Sequence, residues 1–205
     1  MTAGNASLTF WYEFASTYSY LSAMRIEGLS AKANVQVVWR PFLLGPIFQS
    51  QGWNTSPFNL LLAKGRYMWR DMERLCADQG LPAMHRPDPF PQHSLLAARV
   101  ATLGEGEHWL PEFSRRVYLA EFCEGQQVSE PEVLAGILDS MGLDGAALIR
   151  QVGQDQAVKD RLRLNTEEAI RLGIFGAPAF TTQDGELFWG DDRLEQAVRW
   201  AQDHA

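Results

Sequence analysis

Cysteine is scarce in this chain. Cys76 and Cys123 are the only two among 205 residues. Neither belongs to a C-x-x-C, which argues against dithiol exchange. Histidine is equally sparse. His85, His93, His108 and His204 are scattered, with no H-x-x-x-H and no His/Cys pairing, so no metal site is expected. Positive charge is outweighed: 18 Lys and Arg face 25 Asp and Glu, for a net charge of −7. That balance argues against nucleic acid and anionic membranes as partners. No apolar run approaches the roughly 18 residues of a spanning helix. The start, Met1 to Ser7, lacks the basic region and apolar core of a signal peptide. There is no P-loop, no G-x-G-x-x-G after a strand and no G-x-S-x-G elbow. The expectation is a soluble cytoplasmic protein with two free thiols.

What is present is organised around Leu8 to Leu21. Leu8 to Phe14 is apolar and aromatic and predicts a buried first strand. Ala15 and Ser16 break the run, and Tyr18, Leu21, Met24 and Arg25 then recur at helical spacing. Ser16 is a good N-cap at this junction, beside backbone N–H groups that favour an anion. It reads either as a capping serine or as a hydroxyl that donates to a bound thiolate. With no His or Lys near it in sequence, the role of nucleophile is disfavoured.

Val35 to Phe42 predicts a second strand, joined to the first through a helix from Leu21 to Ala33 in a right-handed β-α-β unit. Leu43 to Pro57 reads as an irregular loop because of Gly45, Pro46, Gly52 and Pro57. Helical periodicity then predicts Phe58–Gln79, Gln92–Leu103, Trp109–Cys123, Glu130–Ser140, Asp144–Gln151 and Gln154–Leu172, with Pro82–Pro91 as a proline-rich loop. Ala179–Thr182 and Glu186–Trp189 flank Asp184-Gly185, a hairpin signal. A last helix runs to about Gln202. This order predicts an α/β fold, a thioredoxin-like sheet carrying an all-helical insertion. Residues 1–42 and 166–205 form the sheet domain in this reading, and residues 43–165 the insertion.

Three further stretches carry candidate chemistry. Gly176-Ala-Pro178 lies directly before a strand, where proline is tolerated; X-Pro base rates favour a trans bond. Trp189-Gly-Asp-Asp-Arg193 marks the last strand-to-helix turn. It reads as an acidic helix start or as a seat for a carboxylate and an amine. Asn54 and Lys64 are the third candidates. Lys64 reads as a solvated helix charge or as a partner for a ligand carboxylate. Trp11, Phe48, Trp53 and Phe90 are candidates to line an apolar pocket, though each is equally a core residue.

Taken in register, Phe14–Leu21, Arg40–Pro46, Lys64–Met68, Pro87–Pro91, Phe175–Pro178 and Trp189–Leu194 resemble the 2-hydroxychromene-2-carboxylate isomerase family. That family is close to the kappa-class glutathione transferases and more distantly related to DsbA-like oxidoreductases. The resemblance implies a homodimer that uses glutathione as cofactor and acts on a small aromatic substrate. It implies Ser16 as the catalytic serine that contacts the glutathione sulfur. Pro178 falls on a cis-proline, and Ala177 on the residue that pairs with the cysteinyl unit. Gly190, Asp191 and Asp192 fall on the turn that holds the γ-glutamyl end, and Asn54 and Lys64 on the region that holds the glycyl end. The family turn is usually Ser-Pro, whereas this chain has Ser16-Thr17. Its last turn often reads Gly-Asn-Asp or Gly-Ser-Asp, whereas this chain has Gly190-Asp-Asp192, an added negative charge that weakens glutathione binding unless the N–H groups or Arg193 offset it. A kappa-like transferase and a non-catalytic thioredoxin-like binding module are the alternative readings.

Overall fold

The computed structural model describes residues 6–205. The reading of the start of the chain as lacking a signal peptide falls largely outside them. Four strands form one sheet in the order β2-β1-β3-β4. β1 (Ser7–Tyr12) and β2 (Gln36–Pro41) are parallel and joined through helix α1 (Thr17–Lys32). β3 (Ala179–Thr182) runs antiparallel to β1, and β4 (Leu187–Trp189) pairs antiparallel with β3. Gly185, at φ +91, turns the chain between them. The fold is α/β and thioredoxin-like with helical insertions.

Side chains alternate across β1, and that alternation divides the core in two. Phe10 and Tyr12 point to the larger side. Phe10 stacks on Phe180 at 5.6 Å, and Tyr12 meets Tyr118 at 6.5 Å. Helices α1, α6 (Leu110–Phe122) and α10 (Leu194–Asp203) contribute to this cluster. Trp11 points the other way into a smaller cluster with Phe42, Ile47, Ala169 and Ile174. Its indole N–H donates to Thr181 Oγ1 at 2.9 Å.

Between β2 and β3 the chain is helical, with one correction to the expected loop. Leu44–Ser50 is a helix, α2, inside the stretch read as irregular. Pro46 stands in its first turn, where a missing N–H costs nothing, and Ile47 is buried in the small cluster. The expected single helix from Phe58 is also broken. It forms α3 (Pro57–Leu60) and α4 (Leu62–Asp78), separated by Leu61. At the elbow the Phe58 carbonyl oxygen lies 2.2 Å from where a Cβ on Gly65 would stand, so the close approach requires glycine. Helices α5 (Leu95–Leu103), α7 (Pro131–Asp139), α8 (Gly145–Gln154) and α9 (Gln156–Arg171) lie within a few residues of their predicted bounds. Helix α9 crosses the proposed boundary between 165 and 166. It is anchored to β2 by Asn165, whose Nδ2 donates to the Pro41 carbonyl at 3.1 Å.

Helix α6 buries Glu121 completely, and neither carboxyl oxygen has a hydrogen-bond partner among the described residues. Burial first, and the nearby Glu13 second, push this carboxyl well above the usual range. Glu13 itself is raised by burial from the ordinary 4.5 to about 7. The folded chain therefore keeps protons that the unfolded chain has released above pH 4.5. Stability is full below that pH and falls as pH rises through the folded-state values. Wild-type stability is expected to fall between pH 5 and pH 8. Glu121→Gln is expected to flatten part of that slope, so that its stability relative to wild type rises from pH 5 to pH 8. Urea denaturation of both proteins at the two pH values checks this, and parallel pH dependences would refute it.

Candidate active site

The start of α1 is fixed by contacts from three directions. Ser16 is its N-cap, with extended backbone (φ −90, ψ 113), and Ser16 Oγ accepts from the Ser19 N–H at 3.2 Å. The same hydroxyl donates to the Ala177 carbonyl at 2.9 Å, and the Ala177–Pro178 bond is cis, against the base rate. The Thr17 hydroxyl donates to Met68 Sδ at 3.2 Å, and the Tyr18 hydroxyl donates to Asp71 Oδ2 at 3.0 Å. Both acceptors lie on α4, so the helix that carries Lys64 is tied to the turn that carries Ser16.

The last turn is tied to the same point. The Gly190 N–H donates to the Pro178 carbonyl at 3.0 Å. Gly190 has φ +105, and a Cβ there would meet Asp192 Oδ1 at 2.6 Å, so only glycine fits. The two aspartates that follow differ in their surroundings. Asp191 is buried, and its Oδ1 accepts from Ser22 Oγ at 2.8 Å and from Arg25 Nη2 at 3.0 Å. Arg25 also reaches Glu195 at 2.6 Å. Asp192 is exposed and pairs with Arg193 at 2.9 Å. The sequence reading named the backbone N–H groups or Arg193 as what could offset the added acid. In the structure Arg25 neutralises Asp191, because α1 packs against this turn.

These elements enclose a cavity of about 1190 Å³. All eight residues singled out from the sequence line it: Ser16, Asn54, Lys64, Ala177, Pro178, Gly190, Asp191 and Asp192. Two aromatic pairs form parts of its wall, Phe48 with Trp53 at 5.8 Å and Phe175 with Trp189 at 4.8 Å. Phe90 also lines it, whereas Trp11 belongs to the small core cluster and does not. Lys64 Nζ stands over the Phe58 ring at 5.6 Å, and among the described residues it has no acidic partner. A charged anion-sized group entering near α1 would meet a helix N-terminus, a hydroxyl and a free ammonium in one hollow.

Sequence reasoning passed over Glu13, Arg25 and Ser94, which also line the cavity. Glu13 was hidden inside an aromatic run. Its carboxyl is hydrogen-bonded to the Ser94 hydroxyl, and the Ser94 and Ala15 contacts lower its pKa less than burial raises it. The readable signal was an acid three positions before a capping serine, in a stretch otherwise fit for the core.

The chain belongs to the DsbA-like thioredoxin domain family, whose sequence profile matches residues 7–199. It is 27% identical over 190 residues to a 2-hydroxychromene-2-carboxylate isomerase of Sphingobium xenophagum, covering 92% of this chain and 94% of that protein. It is also 27% identical over 202 residues to human glutathione S-transferase kappa 1, covering 92% and 88%. A solved 2-hydroxychromene-2-carboxylate isomerase superposes with a TM-score of 0.82 at 22% identity, over 96% of this chain and 94% of that one. At that identity the superposition establishes the fold.

Removing the guanidinium at position 25 leaves Asp191 Oδ1 with the Ser22 hydroxyl as its remaining side-chain donor. Arg25→Met is expected to cost roughly 1–3 kcal/mol, the usual penalty for a buried acceptor deprived of a donor. Arg25→Lys should recover part of it. Chemical denaturation measures both, and an unchanged stability in Arg25→Met would contradict the assigned pairing.

Proposed function

We propose that this chain is a glutathione-dependent isomerase of the 2-hydroxychromene-2-carboxylate type, acting in the breakdown of aromatic compounds. The observation that carries the reading is the Ser16 hydroxyl at the N-terminus of α1, facing the carbonyl before a cis-proline in a cavity rich in aromatic side chains. The relatives named for isomerase and for glutathione transferase activity support it, each along most of the chain.

The chain's own thiols are poor candidates for the reactive sulfur. Burial raises Cys76 to about 11 and also raises Cys123, and neither lines the cavity. A bound tripeptide supplies the missing thiol. In this reading its cysteinyl backbone pairs with Ala177 in strand fashion. The peptide N–H then takes the Ala177 carbonyl, and the Ser16 O–H it displaces turns to the sulfur. The γ-glutamyl end lies on the Gly190–Asp192 turn, where Asp192 is the carboxylate exposed to meet an amine and Asp191 is occupied by Arg25. The glycyl carboxylate meets Lys64 and Asn54.

The helix N-terminus and the Ser16 hydroxyl hold the sulfur as thiolate. The thiolate adds to the electrophilic carbon conjugated with the carbonyl. The cyclic hemiketal opens, the former double bond rotates, and the thiol is expelled. The product is a trans-benzylidenepyruvate, and glutathione is regenerated. We include in the proposal a homodimer in the cytoplasm; the run Leu60, Leu61 and Leu62 leaves apolar surface exposed for such an interface.

A second reading, a kappa-like transferase, is favoured by the equal identity to the human kappa protein. It shares the thiolate site and differs in the fate of the sulfur. Isomer formation without net loss of glutathione is expected, and stoichiometric consumption would select the transferase. Ser16→Ala is expected to lower turnover about 10- to 1000-fold, as for loss of one preorganised donor. Steady-state rates with and without glutathione check it, and an unchanged rate would remove Ser16 from the mechanism.

A further inference from the structure

A thiol that binds as a thiolate must give up a proton, and the groups described so far provide no destination for it. A helix N-terminus and a hydroxyl stabilise the anion without accepting a proton. The Ser16 oxygen already accepts from the Ser19 N–H.

Glu13 occupies the same turn. Its main-chain carbonyl accepts from the Ser16 N–H at 3.1 Å and from the Tyr118 hydroxyl at 3.0 Å. The backbone that carries the carboxyl is thus pinned to α1 and to α6. The residue lines the cavity and is only 6% exposed, and Ser94, which holds its carboxyl, lines the same cavity. Among the described residues it makes no ion pair with a basic group; its side-chain partner is the Ser94 hydroxyl. The titratable groups that interact with it are Tyr118 and Glu121 on α6; Tyr12 precedes it in the chain, and His93, in the segment leading to α5, lines the same cavity. Arg25 of α1 lines the same cavity but is committed to Asp191 and Glu195. The carboxyl is therefore held dry and without a countercharge, where a proton is welcome.

We propose that Glu13 is the internal proton acceptor for the thiol bound at the Ser16 turn. The sulfur–hydrogen bond breaks, its electron pair stays on sulfur, and the proton passes to the Glu13 carboxylate, directly or through one water. Expulsion of the thiol at the end of the cycle returns it. The assignment rests on the glutathione reading of the site and adds to it the route of the proton. It also removes an electrostatic conflict. A fixed carboxylate beside a thiolate would oppose it by like charge. A carboxylate that is neutralised as the thiolate appears leaves the net charge of the cavity unchanged. Burial, which raises Glu13 to about 7, favours this exchange: the empty site holds the group mostly charged at pH 8, and the arriving thiolate raises it further by like charge, so the proton it takes is kept.

Net proton release on binding distinguishes this route from a purely structural Glu13. Glutathione is titrated calorimetrically into wild type, Glu13→Gln and His93→Gln at pH 8, in two buffers of different ionisation enthalpy. Ultraviolet thiolate absorbance is followed in parallel, and S-methylglutathione serves as the thiol-free control. A free thiol has a pKa of about 8.5 and is mostly protonated at this pH, so forming the thiolate frees more than about half a proton. Wild type and His93→Gln should show thiolate with little net release to buffer, and Glu13→Gln should release that half proton or more. The control should behave alike in wild type and Glu13→Gln. Wild type releasing as much as Glu13→Gln would overturn the assignment, as would release confined to His93→Gln. If Glu13→Gln does not fold, wild type alone decides, since release of more than half a proton contradicts the proposal. Bound glutathione without any thiolate signal in wild type would sink the thiolate reading itself, whereas thiolate with full proton release sinks only the role of Glu13.

Discussion

One hydroxyl proton holds the site together. Ser16 Oγ can donate only once, and in this structure it donates to the carbonyl that precedes the cis-proline. That contact joins the start of the first helix to the loop before the third strand, two segments far apart in sequence. It also leaves the site poised for exchange. A peptide N–H arriving at the Ala177 carbonyl offers an equivalent donor, and the released O–H is then aimed into the cavity beside the helix N-terminus. Binding and activation of a sulfur are in this account a single swap of hydrogen-bond partners, with little net change in the number of bonds.

The helices inserted between β2 and β3 supply what the sheet lacks. Thr17 and Tyr18 fasten α4 to the first turn of α1, and Lys64 on α4 thereby joins the lining of the hollow. Aromatic pairs from the α2 region and from the β4 end give the cavity apolar walls. Charge is managed locally. The acid at position 191 is answered by Arg25, the acid at 192 stays in water, and burial raises two further carboxyls, Glu13 at the cavity and Glu121 on α6. A chain of net charge −7 can in this way present a small hollow suited to an anionic ligand.

Much of this was legible in the sequence because local rules govern it. The strand alternation, the serine at the strand-to-helix junction, the Asp184-Gly185 turn and the proline before β3 each depend on a few neighbouring residues. What escaped depends on packing between distant segments. Helix α2 forms over two helix-breaking residues because Ile47 finds a buried seat and Pro46 falls where no N–H is needed. The helix from Phe58 bends because a carbonyl settles against Gly65. Glu13 was read as part of an apolar run, and only the arrival of Ser94 and α6 gives it a setting. The N–H groups and Arg193 were the offsets in view for the added acid, while the fold brings Arg25 from α1 to Asp191.

The most direct test is a crystal structure of the chain with glutathione. The account predicts the sulfur about 3.3 Å from Ser16 Oγ, slightly longer than an O–H···O contact. It also predicts the cysteinyl N–H on the Ala177 carbonyl in place of the serine. A tripeptide bound elsewhere, or bound with Ser16 still donating to Ala177 and the sulfur out of its reach, would contradict it.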